Sequence, residues 1–557
     1  MQRVLLMVTS RNGLTQRAEL ALRRAGRSVR TAVVTTDAEM DAATASVDYD
    51  IVICPYLTRR IPARIYSSGP PVVIVHPGPI HDRGPSSIDW ALTDPEQTAT
   101  SDGPRWGVTA IGAVDKMDAG PIWASRIVVI DTTESKSCLY NGVLADAAIE
   151  VICETADRAL DCDFVPLDQG RAPRPVPNAR TRRPMRQSDR AFDWGEEART
   201  ILRHIRSADG SPGVLATIAE QPFYLHDAHP GQPQSSGAAP GTIIGHREHA
   251  IEIACGVDDS IWIGHLRAKL HDEPTCKGPA TSVLRRAGIS LAQAPVNPNP
   301  TPTRDIAYWQ EGQIATIRIN TYNGTLTTAQ CARLVDAINH ASTRPISVLV
   351  LRGATGPFFC TGLHLGAIEL ASNPFGEGMA NIRAINQVCR ALLQCPHTVI
   401  AAITGNAAAG GAMLALCADI VAARERVMLN PHYRMGLTGS ELHTLTLPRR
   451  VGTATATRLL VDGETLDTHT ARDLGLIDHI GPNSNGEFDA WLSNLARSLS
   501  GPGILTRTTK APHWDRATID HFERHELAQM SLDLSSDAHA RARRAFLLHQ
   551  PEPARVS

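Results

Sequence analysis

The chain has 557 residues, a formal net charge of −2 and 43% apolar residues, which is material for about three to four domains of ordinary globular size. The near-neutral charge lacks the cationic excess that a nucleic-acid binder needs. Five lysines stand against fifty arginines, and none of the five follows a glycine, so a G-x-x-x-x-G-K-[ST] phosphate loop is excluded. Eleven cysteines occur without a C-x-x-C pair; this spacing gives no zinc or iron–sulfur framework and predicts reduced thiols and no metal site. The N-terminus (MQRVLLMVTSRNG) reads as having no signal peptide, and the charge-free run Thr398 to Ala418 is too rich in Ala, Gly, Thr and Asn for a membrane helix. We therefore expect a cytoplasmic protein with no membrane or nucleic-acid partner.

RVLLMV, SVRTAVV, DIVICPY and PVVIVH are buried-strand candidates, and Leu14, Ala18, Ala21, Leu22 and Ala25 recur at helical spacing up to a stop at Gly26. This alternation predicts an open, mostly parallel sheet with its ligand crevice beyond the carboxyl ends of the strands, where TSRNG and HPGP fall. Residues 170–184 are rich in Pro and Arg and read as a linker. A smaller region over 185–285 combines a helix (EEARTILRHIRSA) with short strands (AIEIAC, SIWIGHL) and a surface loop at 229–241. A second Pro-rich linker spans 292–304. Beyond it the strand–helix pattern restarts with ATIRIN, ISVLVLRG and TVIAAITG, and the last 45 or so residues read as helices polar on one face.

His76 leaves a predicted strand into a Pro-Gly turn, and Asp118 precedes the tight turn Ala-Gly-Pro. An imidazole that stabilises a tetrahedral oxyanion and a carboxylate that orients it suit acyl transfer. A structural histidine and a turn-capping aspartate fit the spacing equally. The motifs H-P-G…R-G-P-S-S-x-D-W and V-T…D-x-G-P-I resemble the 10-formyltetrahydrofolate-dependent formyltransferases, as in methionyl-tRNA formyltransferase. FDWGEEARTILRHIRSADGSPG (192–213) is similar to the segment leading into that family's small OB-like domain. The resemblance implies 10-formyltetrahydrofolate as formyl donor and His76 and Asp118 as catalytic residues. Where the family has a catalytic Asn, this chain has Ile74, which removes a donor to the formyl oxygen. Ser10, Arg11, Asn12 and Gln16 on the loop after the first strand, with Arg83 and Ile74, are the expected folate-side positions; solvated loop residues are the alternative for the first four.

GPFFCTGLHL (356–365) and TVIAAITGNAAAGGAMLALCADIVAA (398–423) resemble the crotonase (enoyl-CoA hydratase/isomerase) superfamily, which binds an acyl-CoA thioester oxygen with two backbone N–H groups. By position these donors are Leu363 and Gly410. The two glutamates that handle water in hydratases fall on Met413 and His432, which argues against hydration. Tyr433 and Glu441 in NPHYRMGLTGSELHTLTLPRRVG (430–452) offer a phenol and a carboxylate instead; a glutamate on a helix surface is the alternative for Glu441.

The predicted fold class is thus α/β multidomain: a Rossmann-like formyltransferase domain (1–170), an OB-like β domain (185–285), a crotonase ββα-spiral domain (305–500) and a C-terminal helical tail (501–557). This order, with DRGPSSIDW, GLTGSELHTLTLPRRVG and AHARARRAFLLHQ, resembles a family of hydrogenase maturation proteins. That resemblance implies formyl transfer to coenzyme A followed by loss of carbon monoxide from formyl-CoA, for the iron of a [NiFe]-hydrogenase. It implies small-molecule substrates and other hydrogenase maturation proteins as partners. An amine formyltransferase fused to an enoyl-CoA hydratase, and a non-catalytic folate- and CoA-binding scaffold, are the competing readings.

Overall fold

The computed structural model describes residues 1–45, 48–232, 237–256, 258–270, 273–292, 294–296, 305–354, 356–500 and 514–550. Two compact units make up the chain, Met1–Ala216 with Tyr224–Ala228, and Thr217–Phe223 with His229–Ser557.

In the first unit, six strands form one sheet in the order Ser28–Val33, Arg3–Val8, Ile51–Cys54, Val72–His76, Arg105–Gly112, Ile122–Val129. The first four run parallel, the fifth runs antiparallel to them, and the sixth, antiparallel to the fifth, returns to the direction of the first four. Val4 to Val8 and Ile51 to Cys54 are buried along their whole length, as expected of strands covered on both faces. Helix Gly13–Arg24 buries Leu14, Ala18 and Leu22, residues four apart and so on one face. It starts where the Asn12 side chain accepts the Thr15 N–H at 2.9 Å and ends at Gly26, whose φ of +77° suits a residue without Cβ. Leu144, Ala148, Val151 and Ile152 of helix Val143–Arg158 complete the core against Val108 and Ala110.

A second, smaller sheet has the order Val214–Ile218, Gln221–Pro230, Asp259–Ala268, Ala250–Cys255, Ile243–Arg247, with Gly278–Pro279 paired to Asp259–Ala268. Strand Gln221–Pro230 runs on through His229 and Pro230, two residues into the stretch expected to be a surface loop.

The rest of the second unit is a spiral of ββα turns. Long strands build a main sheet, Ile306–Glu311, Ile314–Ile319, Val348–Gly353, Thr398–Ile403, Ile420–Arg424, His479–Gly481. After each of three of them a short strand enters a second sheet, Phe358–Cys360, Asn406–Ala408 and Met428–Asn430, joined by Leu466–Asp467. The charge-free run resolves into strand Thr398–Ile403, strand Asn406–Ala408 and helix Gly410–Ala415, with Val399 to Ile403 and Ala412 to Ala415 buried. Helix Pro374–Leu393 buries Ile382, Ile385, Val388, Cys389 and Leu392. Helix Arg516–Ser535 packs on it, Met530 and Leu534 meeting Met379 and Ile382. No helix among the described residues is long and apolar enough to cross a membrane.

Candidate active sites

His76 is the last residue of strand Val72–His76, so its ring stands at the carboxyl rim of the sheet, the side on which open α/β sheets bind ligands. The ring is buried between two carboxylates. Nε2 lies 2.8 Å from Oδ2 of Asp82, and Nδ1 lies 3.6 Å from Oδ2 of Asp118. Any β-carbon on Gly78 would collide with the Asp82 carboxyl and the His76 ring, so the Nε2 side is sealed. The Asp118 side is looser: 3.6 Å exceeds a good hydrogen bond and leaves Nδ1 as the nitrogen offered to a reactant.

Burial disfavours a charged imidazole, but the bond to Asp82 and the charges of Asp118 and Asp82 outweigh it and hold His76 above its usual pKa. Asp118 sits at φ +51° and its Oδ2 accepts the Gly84 N–H at 2.9 Å. Its carbonyl and that of Gly120 each accept a bond from Gln169 Nε2, both 2.9 Å. Gln169 Oε1 in turn accepts from Arg83 Nη2 at 2.7 Å. Arg83 thus reaches the Asp118 turn through Gln169.

The remaining predicted positions are spread along the first loop. Asn12 is spoken for as the helix cap and also donates to the Tyr140 hydroxyl at 3.3 Å. Arg11 pairs with Glu19 at 2.7 Å while staying over half exposed, Gln16 donates to the Arg11 carbonyl at 3.2 Å, and the Ser10 side chain is exposed. Ile74 is half-buried and packs with the apolar cluster of Met7, Cys54 and Val72, as a hydrocarbon in the Asn position should. Sequence reading missed Asp82. The signal was there in H-x-x-x-x-x-D across a Pro-Gly-Pro turn, which reverses the chain and returns the seventh residue to the first.

In the second unit the short strands bring two loops together. A β-carbon on Gly362 would stand 3.3 Å from the Gly410 nitrogen and 3.6 Å from that of Gly411, and one on Gly411 would strike the Cys360 carbonyl. Only glycine lets strand Gly362–Leu363 approach the start of helix Gly410–Ala415 so closely. The first N–H groups of that helix lack intrahelical partners, and they face the loop that carries Leu363.

Glu441 closes this site from above and is 1% exposed, so it is no surface residue. The hydroxyl of Tyr433 donates to Oε2 at 2.7 Å and to the Ser440 carbonyl at 2.9 Å. The carboxyl lies against Gly410, with Oε1 the nearer oxygen and no room for a β-carbon between them. Burial, chiefly, and then the charge of Glu526 push the Glu441 pKa up against the opposing pull of Tyr433, His443 and Ser440. Burial and the charges of Glu441 and Glu526 push the Tyr433 phenol well up. Met413 is fully buried. His432 accepts from Arg434 Nε at 3.3 Å and its ring faces Gly463; burial and Arg434 lower its pKa.

An open sheet with an imidazole between carboxylates at its rim, and a ββα spiral with a glycine-lined carboxyl–phenol site, define a fusion of formyltransferase and enoyl-CoA hydratase/isomerase-type domains. Residues 184–277 match the formyl transferase C-terminal domain family, and residues 310–537 the enoyl-CoA hydratase/isomerase family. The methionyl-tRNA formyltransferase of Sorangium cellulosum is 30% identical over 178 residues, 31% of this chain and 65% of that protein. The hydrogenase maturation factor HoxX of Bradyrhizobium diazoefficiens is 36% identical over 491 residues, 86% of this chain and 81% of the relative. The crystal structure of HypX from Aquifex aeolicus in complex with tetrahydrofolic acid matches with a TM-score of 0.89 at 30% identity, over 99% of this chain and 96% of that one. The chain belongs to the HoxX/HypX family of hydrogenase maturation factors.

Proposed function

We propose that this protein makes carbon monoxide for a [NiFe]-hydrogenase in two steps: formyl transfer from 10-formyltetrahydrofolate to coenzyme A, then decarbonylation of formyl-CoA. In the first step the CoA sulfur attacks the formyl carbon, the C–N bond to the folate breaks, and the folate nitrogen takes up a proton. His76 offers its Nδ1 proton to the oxyanion, and the flanking carboxylates favour the protonated ring against the opposing effect of burial. Ser10, Arg11, Asn12, Gln16, Arg83 and Ile74 are the folate-side positions. A thiolate attacks without first shedding an N–H proton, which suits a site with Ile74 where amine-directed relatives use Asn.

In the second step the Leu363 and Gly410 amides hold the thioester oxygen. Glu441 takes the formyl proton on Oε1, the C–S bond breaks, its electrons leave on sulfur, and the C–H pair stays on carbon as CO. The thiolate is reprotonated from the Tyr433–Glu441 pair. The formyl carbon is already at the oxidation level of CO, so neither step consumes an oxidant or a reductant. The substrates are small molecules, the CO is passed to other hydrogenase maturation proteins, and the setting is the cytoplasm.

The observation that carries this reading is the Glu441 carboxyl, buried and bound by Tyr433, lying directly on Gly410 where a thioester would be held. The test supplies formyl-labelled 10-formyltetrahydrofolate and CoA and traps the gas on deoxyhaemoglobin. His76→Ala should abolish CO from the folate donor but leave CO release from added formyl-CoA intact. Glu441→Gln should accumulate formyl-CoA and slow CO release by about 10²-fold or more. CO release from formyl-CoA at the wild-type rate in Glu441→Gln would refute the second step.

A further inference from the structure

Glu441 and Leu442 are consecutive non-glycine residues in the left-handed region, at φ +62° and +55°. Such a backbone is strained for residues with a Cβ and persists only where its surroundings over-determine it. Two buried side chains do so here. Asn386, on helix Pro374–Leu393, accepts the Glu441 N–H at 2.8 Å. Glu526, on helix Arg516–Ser535, accepts the Leu442 N–H on Oε2 at 2.9 Å, and the Thr444 N–H and hydroxyl on Oε1 at 2.8 and 2.6 Å.

Glu526 is one of a row on that helix. Glu523 pairs with Arg390, the Met530 sulfur receives the Gly439 N–H at 3.2 Å, and Asp533 accepts the Thr438 N–H and hydroxyl at 2.7 and 2.6 Å. Positions 523, 526, 530 and 533 are three or four residues apart and so share one helical face; Glu526, Met530 and Asp533 clasp the segment 438–444 that carries the base, while Glu523 ties the helix to Arg390. His443 completes the arrangement, with Nδ1 3.2 Å from Glu526 Oε1 and its ring edge-on to Tyr433 at 5.1 Å.

We propose that Glu526 is a positioning residue of the decarbonylation site: from the C-terminal helix it holds the left-handed turn under Glu441 and, by its charge, strengthens Glu441 as a base. The inference rests on the two-step reading above. The titratable groups facing Glu441 are Tyr433 and His443 beside it in sequence, Glu526 from the C-terminal helix, Cys389 from helix Pro374–Leu393, Cys417 after helix Gly410–Ala415, Cys360 from the short sheet and Cys331 from helix Thr328–Ser342. Burial pushes Cys360 to about 12 and Cys331 and Cys389 well up, so these three thiols stay neutral. That leaves Glu526 and His443 as the charges acting on the base, with opposite signs.

CO release from added formyl-CoA is measured against pH for the full-length wild type, Glu526→Gln and His443→Gln. Glu441 works as its carboxylate, so wild-type activity falls as pH drops through its raised pKa. Removing the negative charge lets that pKa fall, so Glu526→Gln should move the acid limb to lower pH. The weaker base should cut the plateau kcat roughly three- to tenfold with KM within about twofold. His443→Gln removes a cation and should move the limb the other way, to higher pH, which keeps the test decisive if Glu526→Gln fails to fold. Thermal unfolding of each full-length variant, with the wild-type transition of the second unit retained, reports whether it is intact. A limb that stays put or moves to higher pH in Glu526→Gln, or that fails to move to higher pH in His443→Gln, overturns the inference, whereas a wild type that releases no CO from formyl-CoA overturns the two-step reading itself.

Discussion

At His76 the two ring nitrogens have different environments, and the difference assigns them different work. Nε2 is tied to Asp82 behind Gly78 and fixes the ring, whereas Nδ1 faces Asp118 across a gap. Asp82 is itself 1% exposed and touched by Gln97 at 3.4 Å, so its charge acts on the imidazole with little screening by water. In Asp82→Asn the raising bond and charge are lost while burial, which lowers the His76 pKa, remains. The charged ring should then give up its proton at lower pH. We expect the alkaline limb of formyl transfer to move to lower pH, read from the pH profile of formyl-CoA formation; an unmoved limb would remove Asp82 from the mechanism. His76 and Asp118 were singled out by the formyltransferase-like motifs around them, since their place at an apolar run's edge beside Pro or Gly also fits structural roles. Asp82 was overlooked although the Pro-Gly-Pro turn beside His76 marks a chain reversal; that the turn sets its carboxylate on Nε2 is visible only in the structure.

Among the elements, the helices at either end of the chain show how much of each was written locally. Helix Gly13–Arg24 was readable as an apolar stripe with Gly26 as its stop, but Asn12, expected on the folate side, proved to be its cap only in the structure. Asn12→Ala should cost about 1 kcal/mol through loss of the cap, measured by thermal or denaturant unfolding of the whole chain. Helix Arg516–Ser535 was readable as a helix, but its destination was not. Its buried residues include Glu523 and Glu526, and no hydrophobic pattern predicts buried acids. They are explained by partners far away in sequence: Arg390, which binds Glu523 and also Asp520 at 2.6 Å, and the turn at Leu442. In Arg390→Met the Glu523 carboxylate loses its cation while staying buried. We expect the docking of this helix to weaken by about 2–3 kcal/mol, seen as faster amide hydrogen exchange over 516–535, with CO release from formyl-CoA falling as Glu441 loses its support.

Over the whole molecule the cysteines give a direct check on burial. All eleven are free thiols. Cys54, Cys255, Cys331, Cys360, Cys389, Cys395 and Cys417 are buried, Cys162 is exposed, and the rest are half-buried. Burial pushes Cys54 and Cys138 to about 12, and a thiol that stays protonated is a poor nucleophile. Under native conditions a maleimide at neutral pH should therefore label Cys162 first, and the seven buried thiols should react only on unfolding, as counted by intact mass.

The sequence by itself determined the class of each module, because periodicity, turn residues and glycine-rich close approaches are local and repeat wherever the same backbone is built. It also determined the absence of a phosphate loop, since that motif is contiguous. Only the tertiary structure decided that His76 lies between two carboxylates, that Glu441 is buried on Gly410, and that a C-terminal acid holds it there. Leu442 and Glu526 are 84 residues apart, and their bond arises from the packing of a late helix on an earlier one. Such contacts leave no period or spacing in the chain, and they fix the protonation of the groups on which the proposed chemistry depends.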